Sequence, residues 1–296
     1  MSLSRGTGVE LSMVHERTCK LEKSDTFQFP LSLRWPITEE DSHGILLALE
    51  SLFMLTRRKA FHIPEREDVV FLVSGGIDSA VGIGKVITDW GVTVYPLFIR
   101  RHAKAEKYEE AAFDYFVRFY SERYPNNIAK PAKVKFKIPP PRWKARYSKD
   151  WVHRFGYPMR DFTLESIAVQ YAVAINSKYK TDIRTIFTGV TDADIFPHSS
   201  LVALRVATLA ACLDNSDWRW QITSPFVENT PEPMRKSDLI LWAKQHNIPL
   251  ERTRTCVSGS EIADGTCLEC RHRLAAFRES GLTDPLEYKL DAVGTY

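Results

Sequence analysis

Five unbroken apolar residues, Val69 to Val73, run directly into Ser74-Gly75-Gly76-Ile77-Asp78-Ser79 and then into apolar residues at helical spacing. A run this short, ended by glycines and a helix, reads as a strand buried on both faces, as in a parallel sheet. Paired glycines let the backbone turn tightly and let a ligand approach with no side chain in the way. The helix that follows offers unpaired N–H groups at its positive dipole end, so strand, loop and helix together form an anion cradle. No lysine closes the loop, which excludes the Walker arrangement. Asp78 would repel a bare phosphate, so a magnesium ion is expected between them. The plainer reading of two glycines is an ordinary strand-to-helix turn. The full S-G-G-x-D-S string in this setting favours a nucleotide site, with Ser74, Gly75, Gly76, Asp78 and Ser79 as its residues.

The alternation continues downstream. Helical spacing is expected over 80–90, 104–120, 161–178, 199–213 and 236–245, the last preceded by Thr230 and Pro231. Strands are expected over 92–99, 134–138 and 185–190. This pattern predicts an α/β fold with a parallel sheet. Upstream, residues 1–25 are polar and aperiodic, 26–35 alternates as an edge strand interrupted by Pro30, and 45–61 reads as a helix with Asp41 and Ser42 as caps. With 296 residues and 44% hydrophobic content, the chain can bury a sizeable core without disulfides. A net charge of +3 is too small to argue for nucleic acid by itself. With no signal-type segment and no apolar run of membrane length, a cytoplasmic protein with no membrane partner is expected. The expected domains are an N-terminal extension (1–67), a nucleotide-binding domain (68–250) and a C-terminal metal-binding segment (251–296).

Three of the five cysteines, Cys256, Cys267 and Cys270, crowd into one short stretch. A C-x2-C turn with a third cysteine eleven positions earlier suits zinc, which takes four ligands in a structural site. Asp264, His272 or water could supply the fourth ligand, and Asp264, lying in the turn, is preferred. Reduced cysteines in a packed loop are the plainer alternative.

With both motifs in hand, the chain from about Asp68 to Tyr288 resembles the 7-cyano-7-deazaguanine synthase family of PP-loop ATP pyrophosphatases. The likeness is carried by the phosphate loop, Arg101-His102 through Glu106, Tyr157-Pro158-Met159-Arg160-Asp161, Thr188-Gly189-Val190 with Asp192 and Asp194, Arg235-Lys236-Ser237-Asp238, and the cysteine cluster. The resemblance implies a Rossmann-like parallel sheet of the PP-loop ATPase (adenine nucleotide alpha hydrolase-like) type, with a C-terminal zinc-bound segment. It implies an AMP-forming ligase that uses ATP, Mg2+ and Zn2+. Such an enzyme adenylates the carboxylate of a 7-carboxy-7-deazaguanine-type substrate in queuosine biosynthesis, and ammonia or another amine then displaces AMP. Carried over by position, Asp78, Lys236 and Arg160 are the catalytic candidates. Arg101, His102, Arg160 and Asp194 are the substrate-binding candidates, and Cys256, Asp264, Cys267 and Cys270 the metal ligands. Bland alternatives stand beside these: Lys236 and Arg160 as helix-end charges, Asp194 as a helix cap, His102 as a packed or surface histidine.

The chain departs from the family's pattern in three places. Asp264 stands where a fourth cysteine is usual, Phe196-Pro197-His198-Ser199 replaces a longer stretch after the acidic residues, and about 70 residues precede the loop. Residues 130–149 also carry eight lysines and arginines with no acid, interleaved with Phe136, Trp143 and Tyr147. That loop reads as a lid or as a docking surface for an acidic partner or nucleic acid, against the plainer reading of a solvated strand edge. Together these features make a diverged relative an open alternative, one that attaches the deazaguanine to an amine of a protein or nucleic acid, as in bacterial antiviral-defence systems. A non-catalytic nucleotide-binding partner subunit is the remaining alternative, and the family implies a homodimer.

Overall fold

The structure is a computed structural model in which residues 37, 39–192, 194, 196–228 and 232–289 are described. Two units divide the chain, Met1–His43 and Gly44–Tyr296. The expected strand over 26–35, and Thr230 and Pro231, lie outside the described residues. Helix α1 spans Glu39–Arg57. It begins earlier than its apolar spacing implies, so Asp41 and Ser42 lie inside the helix instead of capping it. Glu39, Glu40 and Asp41 place carboxylates at its positive end. Arg58, with φ of 62°, marks its end.

The second unit is built on five parallel strands: β1 (Asp68–Leu72), β2 (Thr93–Arg100), β3 (Ala132–Lys135), β4 (Thr185–Phe187) and β5 (Gln221–Thr223). Their order is β3-β2-β1-β4-β5. Val69 pairs with Val94 on one side and Thr185 on the other. Helices α2 (Ile77–Trp90), α3 (Glu106–Arg123), α8 (Lys236–Gln245) and α9 (Leu268–Glu279) contribute to the core on one face. Helices α6 (Arg160–Tyr179) and α7 (Leu201–Asp214) cover the other. Two short helices, α4 (Pro141–Lys144) and α5 (Lys149–Phe155), lie between β3 and α6.

The apolar run of β1 follows from this layering. Val69, Phe71 and Val73 enter the core beneath α2 and α3, while Val70 enters the core beneath α6 and α7. A strand that feeds two cores has no polar face. Downstream of β1 the expected helices appear within three residues at each end. The strand expected over 185–190 is shorter, ending at Phe187, and the one expected over 134–138 is shifted to Ala132–Lys135.

A buried ion-pair cluster ties the later turns of α1 to the sheet. Arg205 of α7, 3% exposed, reaches Glu50 at 3.0 Å and also bonds Glu228. No helix among the described residues is long and apolar enough to cross a membrane.

Candidate functional site

The strand order reverses at β1, whose neighbours β2 and β4 carry the chain in opposite directions along the sheet. Open α/β sheets hold ligands in the crevice beyond the strand carboxyl ends at such a point. The Ser74–Ser79 loop leaves β1 there. Gly75 has φ of +81°, and a Cβ on it would lie 2.6 Å from the Glu109 carbonyl oxygen and 2.8 Å from the Ala112 Cβ. The loop thus needs glycine both for its backbone conformation and for its approach to α3. Gly76 caps α2 with no side-chain hydrogen bond, leaving the cradle to backbone groups. Ser79 Oγ accepts from the Ser74 amide at 3.2 Å and holds the loop closed.

Across the crevice, Lys236 at the head of α8 reaches Asp78 Oδ2 at 3.1 Å. The other Asp78 oxygen, Oδ1, is buried with no hydrogen-bond partner. Burial works against the Lys236 ammonium, but the Asp78 and Asp194 carboxylates outweigh it and hold its pKa above the ordinary value. Burial, reinforced by Asp78, raises the Asp194 carboxyl, although the Thr191 amide donates to it at 2.7 Å. Gly189, after β4, comes close enough that a Cβ there would lie 3.2 Å from the Asp78 Cβ. Of the residues expected at the site, Asp78 and Lys236 are in contact and Asp194 stands in the field of both.

Arg160 opens α6. Its guanidinium donates to Asp161 at 2.5 Å and faces His198 Nε2 at 3.2 Å. Burial opposes its charge, yet Asp161, Glu269 and Asp194 keep its pKa above the ordinary value. Arg160 thus stands in the field of Asp194, but the contacts it makes are to Asp161 and His198.

Arg101 bonds Glu109 at 2.9 Å. The second Glu109 oxygen is buried without a partner, and burial raises this carboxyl against the pull of Arg101. His102 is exposed with φ of 63°, and its amide donates to Glu106 at 2.5 Å. No contact among the described residues joins its ring to the Asp78–Lys236 pair.

The second cluster lies in the C-terminal segment. The ligand atoms of Cys256, Asp264, Cys267 and Cys270 all lie within 4.8 Å of one another. This suits a tetrahedral ion, because ligands about 2.0–2.3 Å from a common centre are themselves separated by less than that. Cys267 caps α9 and Cys270 lies in its first turn, where the helix dipole favours thiolate. The hydrogen bond from Cys270 lowers the Cys267 thiol to about 7, while Cys270 is raised. The Thr266 and Cys267 amides donate to Asp264 Oδ1 at 2.9 and 3.0 Å, orienting its carboxylate. His272 is exposed and outside this group of four.

Sequence reasoning passes over the residue that connects the two clusters. The Arg254 amide donates to the Gly75 carbonyl at 2.7 Å, while its guanidinium donates to the carbonyls of Cys256, Ser258, Ser260 and Glu261. The cysteine loop is thereby hung directly on the phosphate loop. An arginine just before Thr255-Cys256 is the one available signal, and it resembles a surface charge. Asp161 and His198 likewise carry no mark as a pair, because they are distant in sequence and meet only when α6 approaches the loop before α7.

Comparison with known proteins adds a family. The queuosine biosynthesis protein QueC family matches residues 68–281. The 7-cyano-7-deazaguanine synthase of Acetivibrio thermocellus is 27% identical over 232 residues, covering 74% of this chain and 96% of its own. That of Archaeoglobus fulgidus is 30% identical over 227 residues, covering 73% and 88%. Among solved structures, NMN synthetase from Francisella tularensis aligns over 82% of this chain and 86% of its own at 11% identity. Its TM-score is 0.36.

Proposed function

Taking as premise that the chain belongs to the QueC family, we propose that it is an ATP-dependent synthase-like enzyme of the PP-loop type. It adenylates the carboxylate of a 7-carboxy-7-deazaguanine-type acid, releases pyrophosphate and lets an amine displace AMP. The observation that carries this reading is the Asp78–Lys236 pair at the mouth of the glycine loop, with one carboxylate oxygen left buried and unpartnered. A carboxylate is a poor electrophile because oxide leaves badly, whereas an acyl adenylate has a good leaving group. The developing negative charge falls on pyrophosphate, where the loop amides and the Lys236 ammonium are placed to receive it. Asp78 Oδ1 is the atom that would hold Mg2+, which would supply further charge neutralisation there. Asp194, kept near the lysine, suits two parallel N–H donors on a guanine-like edge. In this reading residues 68–250 carry the chemistry in the cytoplasm, and 251–296 are stapled by Zn2+ on Cys256, Asp264, Cys267 and Cys270.

The test is mass spectrometry of the protein incubated with ATP, ammonium and the carboxy-deazaguanine. AMP, pyrophosphate and amide or nitrile are expected. Asp78→Ala should reduce pyrophosphate release by a factor of about a hundred or more with the fold retained. Full turnover in that variant would remove Asp78 from the chemistry. A second reading, transfer of the deazaguanine to a macromolecular amine, is supported by the altered segment before α7. There, His198 packs beside Gly156 and Arg160. Adenylate or amide that never proceeds to nitrile would favour it. No AMP from any acid would favour the non-catalytic subunit.

A further inference from the structure

From Lys130 to Arg160 the chain holds ten lysines and arginines and one acid, Asp150. The structure sorts these cations. Lys133 on edge strand β3 is taken up by Glu110 and Asp114 at 2.9 and 2.6 Å, and Arg154 pairs with Asp150 at 3.2 Å. Among the described residues, no acid pairs with Lys135, Lys137, Arg142, Arg146 or Lys149, and all five are exposed.

Aromatic rings are exposed among them: Phe136 at 53%, Trp143 at 59%, Trp151 at 46% and Phe155 at 41%. Trp151 and Phe155 pack on each other with ring centroids 4.9 Å apart, so part of this aromatic surface is contiguous. The stretch is knitted together and led toward the ATP crevice. The Lys144 ammonium lies 5.2 Å over the Tyr157 ring, and Tyr147 packs on Tyr157 at 5.9 Å. Burial and the neighbouring Arg101 and Lys104 lower the pKa of Lys144, as expected where cations meet with little acid between them. The stretch ends at Arg160, in the field of Asp194.

We infer that the surface formed by residues 135–159 docks a single-stranded nucleic acid and brings it to the mouth of the ATP crevice. Phosphates would meet the five free cations, and unstacked bases would lie on the exposed rings. An acidic peptide would use the cations but leave the rings in water. A duplex would keep its bases stacked away from them. Docking on this surface does not depend on the adenylation chemistry and can fail separately from it.

The test is fluorescence anisotropy with a labelled oligothymidylate of about twelve nucleotides, within the usual range of such sites. Binding is expected at low salt, weakening as salt rises. Trp143→Ala and Trp151→Ala should each lower affinity about tenfold. Arg142→Glu should reduce the salt slope by about 0.7. Circular dichroism and ATP-pyrophosphate exchange are expected to stay at the parent level in the tryptophan variants, since both rings are exposed at the surface and neither is assigned to the ATP site. Any of four results would overturn the inference: no binding at low salt, affinity indifferent to both rings, a polyglutamate peptide competing as well as the oligonucleotide, or light scattering showing that the rings pair two copies of the chain.

Discussion

The sheet domain around β1 and the C-terminal segment from Thr253 onward are held by different physics. Around β1, Val69, Val70 and Phe71 are wholly buried among Phe98, Phe113, Phe187 and the helices on either face. Their stability comes from area removed from water, at about 25 cal/mol per Å2. In the C-terminal segment the small buried cluster is Cys256, Ala263 and Cys270. Beside it lies Arg273, with no exposed surface, which donates to Asp284 at 2.7 and 2.8 Å, to the hydroxyls of Thr253 and Thr255, and to the Leu250 carbonyl. Tyr288 adds a hydrogen bond to the same Asp284 at 2.6 Å. An apolar core keeps most of its stability when one contact is lost. A polar lattice that buries a charge must have every partner in place. The first region rests on its apolar core, to which α9 adds Ala276 and Phe277; the rest of the second depends on its polar pairings and on the cysteine cluster.

The largest expected effect follows from that condition. Removing the proposed ion with a chelator, or changing Cys267 to Ser, should cost the segment several kcal/mol, because binding energy in such sites is folding energy. The metal content should fall from about one ion per chain to almost none, as expected of a single closed site. Protease cleavage should appear after residue 252 while the sheet domain stays resistant. Since Arg254 hangs the cysteine loop on the Gly75 carbonyl, ATP affinity should fall as well. A metal-free protein that resisted protease as well as the parent would show that the Arg273 lattice suffices alone, and the comparison would lose its sharpest edge.

The opposite experiment damages the apolar half. Gly75→Ala places a Cβ against the Glu109 carbonyl and the Ala112 side chain at φ of +81°. The left-handed backbone costs about 1–2 kcal/mol for a residue with a Cβ, and overpacking adds about 1–3 kcal/mol. The thermal midpoint should therefore drop by roughly 4–20 °C, with ATP affinity lost and metal content kept. Calorimetry and metal analysis on one sample check both. Loss of metal as well would mean that the two regions are not separable.

The two regions also differ in how much can be read in advance. The β1–α2 unit is legible because burial on both faces, a glycine turn and a helix each leave a periodic or compositional mark. The metal group is legible in its spacing, and its four ligand atoms do converge. Strand β5 is not, because three residues, Gln221–Thr223, are too few to show a period. Helix α9 is not, because its buried face includes Cys270 and Arg273 in place of an apolar stripe. Helices α4 and α5 are hidden in a stretch that reads as a basic loop. What the sequence conceals is contact between distant polar residues: Arg254 with the phosphate loop, Arg160 with His198, Arg205 with Glu50 and Glu228.

The smallest effect tests a place where the apolar half breaks its own rule. Glu165, on the buried face of α6, is 5% exposed, and burial, with Asp161 adding to it, pushes its carboxyl up to about 8. Below the unfolded value of 4.5 the group is neutral in both states and contributes no pH dependence. As pH rises from there to about 8, the unfolded chain loses its proton while the folded chain keeps it, so stability declines across that window. Glu165→Gln cannot ionise and should remove this decline. Its thermal midpoint should match the parent near pH 5 and exceed it at pH 8. Even a tenfold difference in acidity between the folded and unfolded chains is worth about 1.4 kcal/mol, which moves the midpoint by roughly 3–5 °C. Thermal melts of both proteins across that range decide the matter. A midpoint difference that stays constant with pH would mean the carboxyl is solvated, and the sheet domain would hold no polar exception on this face of α6.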